Sequence, residues 1–211
     1  MNRREHSASF WNETIPAIDL NMVLSDSMEL ERAEKKEILS LLPSFNDLNV
    51  LELGGGIGRI TGAIAESARS VTTVDLVSSF LTENKKRHRK KKNIQYIHSD
   101  VMDLDFAEGQ FDFILMNWLM MYLEDKEVFV LRDRIFQWLK CSGSLFFRET
   151  CRPERTVILD SDEYFAIYRP IHVYTHVFDA VFHRKVQDSL NCYIDYKACP
   201  FQSYWMYQKR A

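Results

Sequence analysis

Apolar residues along the chain fall into short runs separated by stretches in which apolar and charged positions mix at helical spacing. Residues 50–53, 71–74, 94–97, 111–116 and 144–148 read as strands. Residues 58–67, 78–90 and 126–139, lying between them, read as helices. A further amphipathic helix precedes the first strand, over residues 28–42, where Leu30, Ala33, Ile38, Leu41 and Leu42 recur among charges until Pro43 stops it. Alternation of this kind predicts an α/β fold with a doubly wound, mainly parallel sheet, whose ligands bind at the carboxyl ends of the strands. The tail departs from it. Residues 173–182, 190–197 and 201–208 are rich in Val, Tyr, Phe and Ile and read as strands, with turns at residues 183–185 and at Cys199-Pro200. They predict an antiparallel edge to the sheet.

The first strand runs directly into glycines in VLELGGGIGRITG, residues 50–62. Such a turn lets the main chain approach a ligand closely, and the helix behind it offers free N–H groups to a negative group. A dinucleotide fingerprint would place a third glycine where Arg59 stands. The compact loop over residues 52–58 instead suits the carboxylate and amine of an amino-acid-like cofactor, which points to S-adenosylmethionine. Asp75 ends the second strand, where ribose hydroxyls need an acceptor, as they also would in a nicotinamide enzyme. Asp100 follows the third strand and can receive an adenine amino group. The ordered set of glycine loop, Asp75 and Asp100 resembles a class I methyltransferase, a Rossmann-like fold.

Composition narrows the picture. With 211 residues, 46% of them hydrophobic, the chain can bury a core without a metal or disulfide staple. Four cysteines without a Cys-x-x-Cys pair suggest neither a zinc site nor a disulfide framework, and predict a reduced, cytoplasmic setting. The net charge of −3 gives no global field for nucleic acid, and the basic run over residues 85–92 reads as a solvated helix face. No apolar stretch is long enough to span a bilayer, so a soluble protein is expected. His172 and His176 lie in a segment that reads as a strand and receive no role.

The fourth strand ends in NWLMMYL, which carries Asn117, Trp118 and Tyr122 out at its carboxyl end. Taken alone, these aromatics suit either core packing or the mouth of a site. Arg169 stands beside Tyr168 and near Tyr174. A planar fork of N–H groups flanked by hydroxyls suits a phosphate, and an arginine packed over aromatic rings gives the same pattern.

NWLMMYLEDKEV and VLELGGGIGRITG, together with LFFRETC (residues 145–151) and the Tyr168-Arg169 … Tyr174 cluster, resemble the methyltransferase unit of the phosphoethanolamine N-methyltransferases of plants and nematodes. The resemblance implies a single methyltransferase domain over residues 1–211, with a helical lid or cap at 1–45, a cofactor-binding core at 46–150 and a substrate segment with antiparallel strands at 151–211. It implies methylation of phosphoethanolamine, with a second methyltransferase domain or protein completing the later steps toward phosphocholine. By motif position it assigns Gly54, Gly56, Arg59, Asp75, Leu76, Asp100, Val101 and Asn117 to the cofactor. It assigns Trp118, Tyr168, Arg169 and Tyr174 to the substrate, and Tyr122 to catalysis, at the position where related enzymes place a catalytic histidine or its replacement. Phe10 stands where the family shows a hydroxyl-bearing aromatic, in the Phe10-Trp11 pair of the lid.

Overall fold

The computed structural model describes residues 11, 28–160 and 165–210. Phe10 lies outside them. Nine strands are described, and seven form one sheet in the order β3-β2-β1-β4-β5-β9-β8. Strands β1 (Asn49–Leu53), β2 (Ser70–Asp75), β3 (Ile94–His98), β4 (Phe111–Asn117) and β5 (Leu139–Thr150) run parallel. Strands β8 (Phe182–Ser189) and β9 (Gln202–Lys209) add on antiparallel, as predicted for the far edge. The central strands are near-continuous apolar runs because they are covered on both faces: Val50, Leu51, Leu53, Phe113, Ile114, Leu115 and Met116 are all buried.

The helices split into two packing groups. On one side, α1 (Met28–Leu41) inserts Leu30 and Ile38 into a cluster with Val50, Phe113, Phe146 and Tyr193. Its neighbour is α6 (Asn191–Lys197), and Glu37 of α1 accepts hydrogen bonds from the Asn191 and Cys192 amides at 2.7 and 2.8 Å. Those are orphan donors of the first turn of α6, so one carboxylate caps a helix that opens on Leu190. In the other group, α4 (Asp125–Trp138) and α5 (Ile171–Asp179) pack Leu131, Ile135, Tyr174 and Phe178 around Phe147 and Trp205. The single turn α2 (Thr61–Ile64) and α3 (Ser78–Arg87) complete the crossovers.

Three expectations are corrected. Residues 173–182 and 190–197 are not strands but contribute most of α5 and α6. In α5 the residues Tyr174, Val177 and Phe178 recur at spacings of three and four, so the segment buries one helical stripe although its composition favours strand. His172 and His176 are therefore exposed on a helix. Residues 183–185 are no turn; they lie inside β8, whose polar side chains are exposed on the sheet edge. The helix predicted over residues 58–67 shrinks to α2, with four glycines in the loop before it and Gly62 inside it. A hairpin of β6 (Val157–Asp160) and β7 (Phe165–Tyr168) was not anticipated; through Ala166 and Tyr168 it packs against Met121.

Candidate active site

A cleft of about 1290 Å³, the solvent at its mouth included, opens across the carboxyl ends of β1, β2 and β4. The glycine loop forms its floor. Gly54 and Gly56 have φ of +72° and +52°, angles a side chain rarely adopts, and the Gly54 and Gly55 amides are fixed on the Val74 carbonyl at 2.9 and 3.0 Å. A Cβ on Gly55 would lie 2.0 Å from Thr73 Oγ1 and 2.9 Å from the Glu52 carboxylate, so any side chain there must displace those groups. From α3, Asn84 donates to the Gly56 carbonyl at 3.2 Å, and the His88 ring lies 2.9 Å from the Gly58 carbonyl through Nε2.

Of the twelve residues singled out by pattern and resemblance besides Tyr122, nine line this cleft: Gly54, Gly56, Arg59, Asp75, Leu76, Asp100, Val101, Asn117 and Trp118. Tyr122 lines it as well, and Trp11 sets its ring edge-on to Tyr122 with centroids 6.3 Å apart. Asp75 accepts from the Gly56 amide at 2.7 Å and the Val77 amide at 2.9 Å, while burial raises its carboxyl above the ordinary range. Asp100 accepts from the Met102 amide at 2.8 Å and so caps the short helix Val101–Asp103. Asn117 Oδ1 is buried with no hydrogen-bond partner among the described residues. An orphaned acceptor beside two carboxylates and a glycine-lined floor fits a polar ligand that brings its own donors.

Arg59 reaches the cleft wall with its charge already matched. It pairs with Glu31 at 3.2 Å and with Glu34, and Glu34 in turn holds Arg148. Glu34 and Arg148 are fully buried. Trp118 has a left-handed backbone, φ +57°, and its indole donates to Gln202 Oε1 at 3.0 Å. Such strain in a non-glycine residue persists only where its surroundings hold it.

Tyr168, Arg169 and Tyr174 do not line the cleft. The fork expected to face a phosphate is buried and occupied: Arg169 Nε donates to Asp125 at 2.8 Å, NH1 to the Met120 carbonyl at 2.9 Å and NH2 to the Leu123 carbonyl at 2.6 Å. The Tyr174 hydroxyl also lies within 3.4 Å of NH1. The structure thus brings Arg169 and Tyr174 together, around the backbone of residues 120–123 and not around open solvent.

Two buried acids escaped the sequence reading as site residues. Glu52 lies under the glycine loop and accepts from the Thr61 hydroxyl, and burial pushes its carboxyl up to about 7. Glu149 accepts from the backbone amides of residues 119–121, and burial likewise pushes it up to about 7 against those bonds. For Glu52 the signal was an acid inside an otherwise mostly apolar central strand, a placement that requires partners, whereas Glu149, between Arg148 and Thr150 at the polar end of β5, gave no such signal.

Sheet order, the crossed glycine loop and a cleft at the strand tips define a class I methyltransferase fold, and residues 50–143 match the family model described as a methyltransferase domain. Within that class the chain is similar to the phosphoethanolamine N-methyltransferases. It is 38% identical over 152 residues to phosphoethanolamine N-methyltransferase 1 of Arabidopsis thaliana, covering 70% of this chain and 31% of that protein. Against the Zea mays enzyme of the same name it is 37% identical over 184 residues, 84% of this chain and 36% of the relative. The solved structure of Haemonchus contortus phosphoethanolamine N-methyltransferase 1, in complex with phosphoethanolamine and S-adenosylhomocysteine, superposes with a TM-score of 0.87 at 30% identity. It covers 98% of this chain and 49% of that one. The chain spans about a third of the length of the two curated relatives.

Proposed function

We propose that this chain is an S-adenosylmethionine-dependent N-methyltransferase that methylates phosphoethanolamine once, toward phosphocholine. The observation that carries the reading is the convergence of the glycine loop, Asp75, Asp100, Asn117 and Tyr122 on one cleft. When bound, the cofactor supplies an electrophilic methyl group on a sulfonium. Gly54 and Gly56 would hold its amino-acid end, Asp75 and Leu76 its ribose, Asp100 and Val101 its adenine, with Arg59 and Asn117 completing the wall. Trp118 and Tyr122 would face the substrate.

Much of the acceleration would come from positioning, since fixing amine and methyl group in line removes entropy worth up to about 7–11 kcal/mol. The substrate amine must also lose its proton before it can attack. The Tyr122 hydroxyl is the candidate relay, because an ordinary phenol with a pKa of about 10 is too weak a base to hold that proton alone. The cysteines, all in the thiol state, suit a cytoplasmic setting. Further methylations would fall to another methyltransferase domain or protein.

A labelled-cofactor assay against phosphoethanolamine, free ethanolamine and peptides tests the reading, with calorimetry of S-adenosylhomocysteine binding alongside. Transfer to phosphoethanolamine alone is the expected result. The occupied guanidinium of Arg169 favours a second reading, a methyltransferase for another small molecule; transfer to free ethanolamine in preference to the phosphate ester would select it.

A further inference from the structure

Residues 118–123 carry both aromatic side chains of the proposed substrate wall, and their backbone is held by side chains from two distant parts of the chain. Glu149, near the end of β5, accepts from the Leu119 amide at 2.9 Å and the Met120 amide at 2.7 Å through Oε1, and from the Met121 amide at 3.3 Å through Oε2. Arg169, just past β7, takes the carbonyls of Met120 and Leu123. The short helix Met120–Tyr122 has too few residues to satisfy its own leading amides, and its N-cap residue Leu119 offers no side-chain acceptor. An apolar residue in place of Glu149 would leave three amides without a partner at a buried site. Neither Glu149 nor Arg169 touches the cleft.

We infer that Glu149 is a positioning residue: its carboxylate gathers the amides of residues 119–121 while Arg169 grips the carbonyls of 120 and 123, and this clamp sets Trp118 and Tyr122 in the cleft. The inference rests on the proposed reading for its catalytic consequence, and on geometry alone for the clamp. On the backbone of 119–123 the acid takes only N–H groups and the guanidinium only carbonyls, while Arg169 Nε is anchored on Asp125. The register of the left-handed Trp118 is thereby defined from the residues that follow it, as Gln202 defines it at the indole.

Hydrogen exchange read by mass spectrometry on the full chain tests the clamp. In Glu149→Gln, which puts an N–H donor where an acceptor is needed, the amides of 119–121 should exchange about tenfold faster, with those of β1 and β2 within about twofold of the unsubstituted protein. The turnover number on phosphoethanolamine should fall about tenfold while S-adenosylhomocysteine affinity stays within about twofold, and Glu149→Asp should recover part of the rate. Unchanged exchange at 119–121, or acceleration spread evenly over β1 and β2, would overturn the inference. Should the glutamine variant fail to fold, Glu149→Asp carries the same exchange test, since its shorter arm cannot serve all three amides. Exchange needs no turnover, so a chain inert on phosphoethanolamine would refute the proposed function and leave the clamp to be decided by the exchange result.

Discussion

Arg148 lies beneath Trp118 with its guanidinium carbon 3.6 Å from the indole ring, and it is held there by Glu34, a residue 114 positions earlier in the chain. The charge under the tryptophan is therefore set by α1. Because Glu34 also binds Arg59 at the cleft wall, one buried carboxylate links α1, the glycine loop and the part of the cleft wall formed by Trp118. Removing it strands a fully buried guanidinium. Glu34→Gln should cost about 3–5 kcal/mol in urea unfolding, whereas Glu31→Gln, which loses a single partly solvated pair, should cost under about 1 kcal/mol.

Tyr122→Phe keeps the ring that packs against Trp11 and removes only the hydroxyl. Turnover should fall about a hundredfold, with S-adenosylhomocysteine affinity within about twofold. Steady-state kinetics and calorimetry together check this, and equal losses in both would reject the relay role.

Gly55→Ala drives a methyl group to 2.0 Å from Thr73 Oγ1 and 2.9 Å from Glu52. Overpacking of this kind should cost about 1–3 kcal/mol and weaken cofactor binding. Adding Thr73→Ala opens the space, so the double variant should be more stable than the sum of the two single losses predicts, as thermal unfolding of the four proteins would show.

Glu52 and Glu149 both have carboxyls raised to about 7 by burial, above the ordinary value of 4.5 that applies in the unfolded chain. The folded state therefore binds more protons than the unfolded state between those values, and the stability they confer is full below 4.5 and lost as the pH rises through 7. Each group can contribute on the order of 3 kcal/mol to that loss. Melting temperature should accordingly decline from pH 5 to pH 8 by several degrees, at about 4 °C or less per kcal/mol for a chain of this size. Glu52→Gln should flatten the slope, and an unchanged slope would show that this acid does not titrate in the window.

Strands β1 and β4 could be read from the sequence because each is a short, mostly apolar run that is buried on both faces, and β3 because its apolar residues stand in a short run although the strand stays half-exposed. The glycine loop and the acids at 75 and 100 could be read for a related reason: their position relative to the strands is their chemistry. Failure came where composition and period conflict. Tyr174, Val177 and Phe178 have the β-branched and aromatic character of a strand but helical spacing, and the helix buries them. Arg169 failed differently. Its flanking tyrosines are local, but the acceptors that occupy it are the carbonyls of residues 120 and 123, which no local pattern can announce. Glu34 and Glu149 belong to the same class, since their partners lie far away in the chain.

The capping of α6 by Glu37 joins groups 154 residues apart. During synthesis from the amino end, α1 can pack on Val50, Phe113 and Phe146 early, but Glu37 and the Tyr193 side of that cluster stay open until residues 191–193 have left the ribosome. Long-range closure of this kind slows folding and exposes sticky surface in the interval. Deleting residues 192–211 would remove β9, most of α6 and Tyr193 from that cluster in one stroke, so it should abolish the domain and not merely trim it.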